Sequence, residues 1–503
     1  MDQIKQCVSY REDDKPLCNC AIFGIFNHPQ ASLMTYYALH SLQHRGQEAS
    51  GITSFYYDRE KEKMRYAYTR GEGLVLDVFS DPKILTKVLK GTSAIGHNRY
   101  STTGSSNRAN IQPFNMQYHN GIISIAHNGN LTNTRELREK LHNEGAIFQT
   151  TTDTELILHL IARSKKETKI EQIRDALRQT KGAYSLVLLT EDALICARDP
   201  HGVRPLSIGK ANIDGRTAYS VASESCAFDM INAEYVRSVG HNEIIVIDKE
   251  TVDTGNMKTY KIEDKTPTSH HCIFEYIYFS RPDSKIFGHN VDKVRRRLGK
   301  ALAEESPVIK QGKEKVTCIA VPDSRNTATL GYAKVNEEKC PTRYELGLIR
   351  SHYVGRTFIA PGQDNREFKV KVKFNPVRGV LENRPVVVID DSIVRGTTSK
   401  SLIKLIRQAG AEEVHMRITS PPIKFPCFYG MDFPSREELI ANHYEGQKEI
   451  GKAIDVDSLH YLSKEKLLES VPKDKGVGYC TACFDGDYPI QIDKHQDKYS
   501  AED

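Results

Sequence analysis

The chain has 503 residues, a formal net charge of +5, 39% hydrophobic residues and 27% charged residues, a composition typical of a globular protein of two to four domains. Its charges are spread along the sequence without a basic arm or an acidic tail, so we expect no nucleic-acid partner. No apolar run approaches the ~18 residues of a membrane span, and residues 1–19 lack an apolar core, so the sequence predicts neither a membrane protein nor a secretory signal.

The region after residue 19 alternates between short β-like runs and helical patterns. Apolar runs of strand length predict β-strands at 21–26, 121–127, 184–189, 219–223 and 243–248. Helical periodicity predicts helices at 134–144 and 154–164. The stretch 250–270 is polar and is interpreted as a connector.

Four polar motifs follow Cys20, namely HRGQE (44–48), GHNRYSTTG (96–104), HNGN (127–130) and TTDTE (151–155). Taken singly, each has an ordinary explanation. A cysteine at a strand start is most often a small buried hydrophobe. Asn-Gly is a strong hairpin-turn signal, and a Thr-Asp pair before an apolar run is a plausible helix cap.

Taken together, the order and spacing of these motifs resemble the class II glutamine amidotransferase domain, from Cys20 to about residue 245. The resemblance implies an α+β N-terminal nucleophile hydrolase fold with four αββα layers. It implies Cys20 as the nucleophile, with the Asn128 side chain and the Gly129 backbone N–H forming the oxyanion hole. The glutamine-binding positions that it implies are Arg45, Arg99, Thr102 and Asp153. Arg99 is expected to hold the α-carboxylate and Asp153 the α-amino group.

The general base that this resemblance implies is the cysteine's own α-amine. A free α-amine titrates near ~8 and accepts a proton at neutral pH, whereas an amide nitrogen does not. We therefore expect residues 1–19 to be removed as a propeptide, which makes Cys20 the first residue. Cys18 and Cys7 are alternatives, but the register of the run CAIFGIF argues against both. Ala21 departs from the glycine that usually follows the nucleophile in the family.

Strands and helices alternate from residue 316 onward, which predicts a parallel α/β sheet. Within it, the segment 386–399 reads VVVIDDSIVRGTTS, a buried strand followed by Asp390, Asp391 and a loop that leads into a helical pattern. The N-terminus of a helix suits a phosphate. Adjacent carboxylates at the end of a strand suit ribose hydroxyls or Mg²⁺. The segment therefore predicts a site for a phosphoribosyl diphosphate.

The same segment resembles the phosphoribosyl diphosphate motif of the type I phosphoribosyltransferases. The resemblance implies that Asp390 and Asp391, with Ser324 of the sequence VPDS, surround Mg²⁺. It also implies that residues 395–399 wrap the 5′-phosphate and that 350–359 form a loop closing over the substrate. The substrate-binding positions that it implies are Arg356, Lys373, Arg378, Asp390, Asp391, Ser392, Arg395, Gly396, Thr397, Thr398 and Ser399.

Eleven irregularly spaced cysteines in a long chain without a signal predict reduced thiols in the cytoplasm. Cys480 and Cys483 form a CxxC pair, while Cys272 and Cys427 flank the second half of the chain. Thiolate ligands suit zinc or an iron-sulfur cluster, so the residue types leave both open. The resemblance to one subgroup of the family implies a [4Fe-4S] cluster with a structural role on Cys272, Cys427, Cys480 and Cys483.

The two resemblances divide the chain into five parts. These are a propeptide (1–19), a glutamine amidotransferase domain (20–250), a connector (251–270), a phosphoribosyltransferase domain with a parallel sheet (271–475) and a C-terminal segment with two cluster ligands (476–503). Joined in one chain, they imply an enzyme that amidates phosphoribosyl diphosphate with nitrogen from glutamine, the first committed step of purine synthesis. They also imply a homotetramer inhibited by purine nucleotides.

Two other functions compete with this interpretation. A glutamine-fructose-6-phosphate aminotransferase would share the first half, but it has sugar-isomerase domains where this chain has the segment 390–399. Loss of Cys20, Asn128 or Asp390 would indicate a regulator or scaffold without catalysis. All three residues are present.

Overall fold

The computed structural model describes residues 20–100, 108–310, 315–351 and 373–492. Within these ranges the chain forms two compact units. The first unit contains residues 20–295, 427–432 and 471–492, and the second contains 296–426 and 433–470. The observed boundary at Arg295 therefore lies later than the predicted one at residue 270, and two C-terminal pieces return to the first unit.

Two antiparallel sheets form the centre of the first unit. One consists of β1 (Ala21–Phe26), β2 (Ala49–Asp58), β3 (Lys63–Glu72), β4 (Ser93–Arg99), β9 (Ser207–Ile213), β10 (Arg216–Ala222) and β11 (Glu234–Ser238). The other consists of β5 (Phe114–Tyr118), β6 (Gly121–Leu131), β7 (Gly182–Thr190), β8 (Ala193–Arg198), β12 (Glu243–Asp248) and β13 (Lys258–Lys261). Their spatial orders are β11-β9-β10-β1-β4-β2-β3 and β13-β12-β8-β7-β6-β5.

The helices of the first unit are α1 (Ala31–Ser41), α2 (Val75–Val78), α3 (Thr134–Asn143), α4 (Asp153–Arg163), α5 (Lys169–Leu177), α6 (Cys226–Met230) and α7 (Lys249–Thr254). Alternation along β1 places Ile22 in the core between the two sheets and Phe23 in the core beneath α1. Along β7, Val187 joins the core between the sheets, and Leu186 packs with Leu156 of α4. The layers are therefore helix, sheet, sheet and helix, which confirms the predicted αββα fold.

The sequence HNGN is not a hairpin turn, contrary to what it indicates in isolation. It lies inside β6, where Asn128 pairs with Ser185 and Gly129 pairs with Tyr184 of β7. Gly129 has φ +153°, and a Cβ atom there would lie 2.0 Å from the carbonyl oxygen of Ala183. A side chain is excluded at this position by the neighbouring strand, so the glycine serves the strand pairing rather than a turn.

The polar stretch 250–270 also contains more regular secondary structure than we expect of a connector. It contributes the end of α7 and the edge strand β13 of the six-stranded sheet. Beyond it, the first unit adds the short pairs β14 (Ser269–Cys272) with β24 (Val477–Cys480) and β15 (Lys285–Ile286) with β16 (His289–Asn290). Arg295 closes this part by donating from Nε to the carbonyl of Tyr276 and from Nη2 to that of Ser280, both at 2.7 Å.

A five-stranded parallel sheet forms the core of the second unit, as the alternation from residue 316 predicts. Its strands are β17 (Val316–Ala320), β18 (Thr342–Tyr344), β21 (Pro385–Asp390), β22 (Glu413–Ile418) and β23 (Ser458–Tyr461), in the spatial order β18-β17-β21-β22-β23. A small antiparallel pair is formed by β19 (Leu348–Arg350) and β20 (Phe374–Pro376).

The remaining helices are α8 (Val291–Glu305), which contains the unit boundary, α9 (Asn326–Glu337), α10 (Arg378–Leu381), α11 (Thr397–Gln408), α12 (Gln447–Ala453), α13 (Lys464–Ser470) and α14 (Ala482–Asp485). One face of α11 is apolar and buries Leu402, Leu405 and Ile406 against the sheet, as the sequence predicts. No helix in the described ranges is long and apolar enough to cross a membrane.

Candidate functional site

The predicted nucleophile lies where the ends of two paired strands meet. Ala21 of β1 pairs with Asn98 of β4, so Cys20 lies beside Arg99 at the edge of the sheet. The Cys20 thiol donates to the carbonyl of Tyr100 at 3.7 Å. Burial raises the pKa of the Cys20 thiol, and the positive charge of Arg99 opposes that rise only in part. Cys20 is therefore a neutral thiol near pH 7 and needs a base before it attacks.

Asp153 is the first residue of α4 and is buried. Its Oδ2 accepts from the backbone N–H of Leu131 at 2.9 Å, and its Oδ1 lies 3.3 Å from Nδ1 of His127. Burial tends to raise the pKa of Asp153, but His127 and the hydrogen bonds outweigh it, and the net pKa lies below its usual value. A fixed carboxylate beside Cys20 suits the ammonium group of an amino acid.

Two histidines hold β6 against β4. Nε2 of His97 lies 3.2 Å from the carbonyl oxygen of His127, the residue before Asn128. Burial, followed by repulsion from Arg99, lowers the pKa of His97 to about 3, so the ring is neutral and its Nε2–H donates to this carbonyl. The sequence reasoning gave these histidines no role, although both lie inside the motifs that drew attention to their neighbours.

The amide of Asn128 is fully buried, and neither its nitrogen nor its oxygen has a hydrogen-bond partner in the described structure. A buried polar group without a partner costs about 1–3 kcal/mol. Natural proteins seldom keep such a group unless a ligand completes it. Together with Gly129, Asn128 has the character expected of an oxyanion hole that awaits its oxyanion.

Arg45 lies in a different environment from the one predicted. It is fully buried, with Nη2 2.7 Å from Oε1 of Glu275 and Nη1 in contact with Oε1 of Glu224. Its guanidinium also stacks 4.4 Å above the Phe279 ring. Arg45 is thus engaged by two carboxylates within the core, which indicates a structural role, and its assignment to glutamine binding stays a prediction.

The geometry of the first unit brings together most of the predicted glutamine-site residues. Cys20 and Arg99 lie at the ends of neighbouring strands, and β6 packs across β1 and β4. Thr102, the other predicted glutamine ligand, lies outside the described residues.

The second predicted site lies at the carboxyl end of the parallel sheet. Asp390 ends β21, and both Asp390 and Asp391 are buried. The backbone N–H of Asp391 donates to Oδ1 of Asp390 at 2.9 Å, and the Ser392 hydroxyl donates to Oδ1 of Asp391 at 2.8 Å. These bonds fix the two carboxylates side by side. Mg²⁺ is commonly held by one or two carboxylates together with substrate phosphates, so the pair fits such a metal.

The loop after the acidic pair leads directly into α11. Gly396 has φ +81°, and a Cβ atom there would lie 2.4 Å from Cδ1 of Ile440. This left-handed turn directs Thr397, Thr398 and Ser399 into the first turn of the helix, whose backbone N–H groups suit a phosphate. The Arg395 side chain is directed toward Glu438, since its Nε lies 2.7 Å from Oε2 of that residue.

The other predicted positions of this site have a looser arrangement. Ser324 lies in the loop after β17, the strand next to β21. Lys373 and Arg378 are exposed and flank β20. Arg356 lies outside the described residues, as does most of the predicted closing loop.

All four predicted cluster cysteines belong to the first unit. In the parallel pair β14 and β24, Cys272 stands opposite Cys480, and Cys483 follows in α14. The Cys427 thiol accepts from the backbone N–H of Tyr429 at 3.4 Å. Burial and then the other three thiols raise the pKa of Cys483 well above its usual value.

No group of three or more His, Cys, Asp or Glu side chains in the described ranges is arranged to hold a single metal ion. Zinc would need its sulfur ligands at about 2.3 Å from one centre. A [4Fe-4S] cluster binds each cysteine to a different iron, so it spreads the ligands more widely. The choice between zinc and a cluster therefore stays a prediction.

Known proteins of one family resemble this chain over nearly its whole length. A family profile described as a glutamine amidotransferase domain matches residues 97–230. The chain is 49% identical over 480 residues to amidophosphoribosyltransferase 1, chloroplastic, of Arabidopsis thaliana, which covers 95% of this chain and 80% of that protein. Amidophosphoribosyltransferase of Bacillus subtilis (strain 168) is 47% identical over 478 residues, 94% of each chain. A solved structure of glutamine phosphoribosylpyrophosphate amidotransferase from B. subtilis, complexed with ADP and GMP, has a TM-score of 0.83 at 46% identity and covers 95% of this chain and 98% of that one.

The buried pairs of Arg45 yield a stability prediction. Burial raises the pKa of Glu224, but His44 and Arg45 hold it far below its usual range. Replacing Arg45 by methionine leaves Glu224 and Glu275 with one buried cation fewer, and we expect a loss of about 3–5 kcal/mol in unfolding free energy at pH 7. A carboxyl group whose pKa is lowered by folding stabilises the folded protein at pH values above its unfolded pKa of about 4.3. The difference in unfolding free energy between wild type and variant should therefore shrink as the pH falls below that value.

Urea unfolding at pH 7 and pH 3 measures this difference. The matched control is Arg135→Met, which removes an exposed pair with Glu139 at 3.0 Å and should cost no more than about 0.5 kcal/mol. Equal losses for the two variants would contradict the structural role of Arg45.

Proposed function

Since this chain belongs to the amidophosphoribosyltransferase family, we propose that its two units carry out the two halves of one reaction. Glutamine is hydrolysed to glutamate and ammonia, and ammonia displaces pyrophosphate from C1 of 5-phosphoribosyl 1-diphosphate. The product is 5-phosphoribosylamine, and the reaction is the first committed step of purine biosynthesis. The observation that carries this function is the presence of two sets of residues in one chain. One set surrounds Cys20 in the first unit, and the other is the acidic pair, Asp390 and Asp391, at the end of β21.

In the glutaminase half, Cys20 is the nucleophile and forms a bond with the carboxamide carbon of glutamine. The oxyanion that develops is met by the Asn128 amide and the Gly129 N–H, and a donor of this kind contributes about 2.7–4 kcal/mol. Ammonia leaves with a proton from the base, and water then releases glutamate from the thioester. Arg99 holds the α-carboxylate of glutamine, and Asp153 holds its α-amino group.

The base in this half is the α-amine of Cys20, freed by removal of residues 1–19. Support comes from the thiol itself, because its raised pKa leaves it protonated at neutral pH. Among the described residues, the nearest charged groups are Arg99, which is always protonated, and two carboxylates, Asp153 and Glu48. Carboxylates of ordinary strength are too weakly basic to take a proton from such a thiol.

In the second half, Asp390 and Asp391 bind the ribose hydroxyls and, with Ser324, Mg²⁺. When bound, Mg²⁺ would neutralise charge that develops on the departing pyrophosphate. The first turn of α11 binds the 5′-phosphate, together with Ser392 and Arg395. Cationic groups on the diphosphate side are Arg356, Lys373 and Arg378, since the substrate is highly anionic.

A [4Fe-4S] cluster on Cys272, Cys427, Cys480 and Cys483 is the cofactor that we propose for the first unit. When bound, it cross-links three segments of the chain that are far apart in sequence. Burial raises the pKa of the Cys427 thiol, and the N–H bond from Tyr429 opposes that rise in part, as a bond to a metal-bound thiolate would. All nine cysteines in the described ranges are free, and free thiols of this kind favour the cytoplasm.

Purine nucleotides are proposed as inhibitors, because a related enzyme from B. subtilis was solved with ADP and GMP bound. A homotetramer is proposed from the same family.

The reaction itself can be tested by following glutamate and pyrophosphate in parallel with anaerobically purified protein. We expect phosphoribosyl diphosphate and Mg²⁺ to stimulate glutamine hydrolysis, with pyrophosphate appearing in step with glutamate. The Cys20→Ala variant should lose glutamine-dependent synthesis but keep synthesis from ammonium salts, because only the first site is disabled. Glutamine hydrolysis at an unchanged rate without pyrophosphate would show that the acceptor is a different compound.

The propeptide can be tested by intact-mass and N-terminal analysis of the purified active enzyme. We expect Cys20 to be the first residue, because only then is its α-amine available as the base. A fully active enzyme that still begins at Met1 would contradict this role.

The cofactor can be tested by metal and sulfide analysis of anaerobically purified protein. We expect about four iron and four sulfide ions per chain and a loss of both in Cys272→Ser and Cys480→Ser, since each removes a cluster ligand. The control Cys226→Ser changes a buried thiol outside the group and should keep full iron. Stoichiometric zinc without sulfide would favour the alternative metal.

A further inference from the structure

The acidic pair of the second unit is bridged by an arginine that the sequence reasoning did not select. Nε of Arg325 lies 2.8 Å from Oδ1 of Asp390, and its Nη2 contacts Oδ2 of Asp391. Arg325 is 6% exposed, Asp390 3% and Asp391 1%. The guanidinium therefore spans the two carboxylates that Mg²⁺ and the ribose are expected to use.

Sheet topology explains why these residues meet. The first two strands of the sheet along the chain, β17 and β18, lie to one side of the later strands, so the strand order reverses between β17 and β21. The carboxyl ends of the strands at such a reversal form the ligand crevice of an open parallel sheet. Arg325 follows β17 and the acidic pair ends β21, so the arginine lies across this crevice.

The backbone of Arg325 is anchored independently of its side chain. Its carbonyl accepts from the backbone N–H and from the hydroxyl of Thr329, both at 2.9 Å, in the first turn of α9. A change of rotamer can therefore remove the guanidinium from the carboxylates without disturbing the helix. Two adjacent buried carboxylates repel each other when both are ionised, and a nearby cation relieves that repulsion.

We propose that Arg325 is a built-in competitor for the substrate's metal at the acidic pair, and this inference rests on the proposed phosphoribosyl diphosphate site. In the free enzyme the guanidinium neutralises Asp390 and Asp391. Binding of Mg²⁺ with the diphosphate supplies the replacement charge, and the side chain leaves. A guanidinium and a divalent cation cannot share the same carboxylate oxygens, so the two states exclude each other.

The exchange makes metal binding depend on substrate. A bare divalent cation has to displace Arg325 unaided, whereas a cation that arrives with the diphosphate also brings anionic oxygens for the released guanidinium. If Arg325 closes the pair in about nine molecules of ten, the apparent affinity for the bare metal falls about tenfold. Arg325 therefore selects a metal that arrives with the diphosphate over the bare metal.

The test is Mn²⁺ binding to the full-length holoenzyme, measured by electron paramagnetic resonance in the absence of phosphoribosyl diphosphate. We expect weak binding to wild type and a dissociation constant at least about tenfold lower for Arg325→Gln. Arg325→Lys keeps the charge but cannot span two carboxylates, so it should bind Mn²⁺ with intermediate affinity. Arg407→Gln is the control, because Arg407 also contacts two aspartates, Asp455 and Asp457, away from the acidic pair.

The outcomes separate the proposal from the function on which it rests. Equal Mn²⁺ affinity in wild type, Arg325→Gln and Arg325→Lys would overturn the competition. Equally tighter binding in Arg325→Gln and in Arg407→Gln would also overturn it, because net charge alone would then explain the effect. If Asp390→Asn and Asp391→Asn keep ammonia-dependent pyrophosphate release, the site assignment itself fails, whatever Arg325 does. Thermal unfolding checks that each variant is folded.

Discussion

A charge removed from water needs an opposite charge or hydrogen-bond donors within a few ångströms, and this requirement governs the side chains at both sites. Asp153 is held by His127 and a backbone N–H, and Arg45 is held by two glutamates. The acidic pair of the second unit is balanced by Arg325. These pairs fix the carboxylates in single orientations, and a defined orientation is what binding of a small charged substrate requires.

The requirement also distinguishes residues that face substrate from residues that support the fold. The Asn128 amide is buried without a partner, whereas the Arg45 guanidinium is occupied by partners on two sides. Both terminal nitrogens of Arg45 are paired and its Nε is not, whereas neither polar atom of the Asn128 side chain has a hydrogen-bond partner in the described structure. This contrast separates the two residues, although both belong to motifs of the same family resemblance.

Local sequence predicted the elements whose hydrophobic pattern is strong. The apolar runs of β1, β6 and β21 are strands, and the parallel alternation after residue 316 is present. The sequence HNGN was misread in isolation, because pairing with β7 overrides the local turn preference of Asn-Gly. Position within a motif could not reveal the partners of Arg45 either, since Glu275 is 230 residues away along the chain.

The sequence did not predict the role of Arg325 for a related reason. In the sequence alone, the arginine after VPDS has the character of an ordinary surface cation. Its contact with the acidic pair follows from the parallel pairing of β17 with β21, which brings their carboxyl ends together. Long-range pairs of this kind follow from sheet order, which one sequence does not specify. The roles of all the predicted site residues stay predictions, and Thr102 and Arg356 also lie outside the described residues.

The parallel pairing of β14 with β24 has a consequence for how the chain folds. It joins residues 269–272 to residues 477–480, so the whole second unit is an insertion within the first. During synthesis at about 5–20 residues per second, β14 waits on the order of 10–40 s for its partner to leave the ribosome. The first unit therefore acquires its last strand only after the complete inserted unit has been translated. The cysteines of β14 and β24 spend that interval apart, so the final part of the first unit is assembled only after the inserted unit has been synthesised.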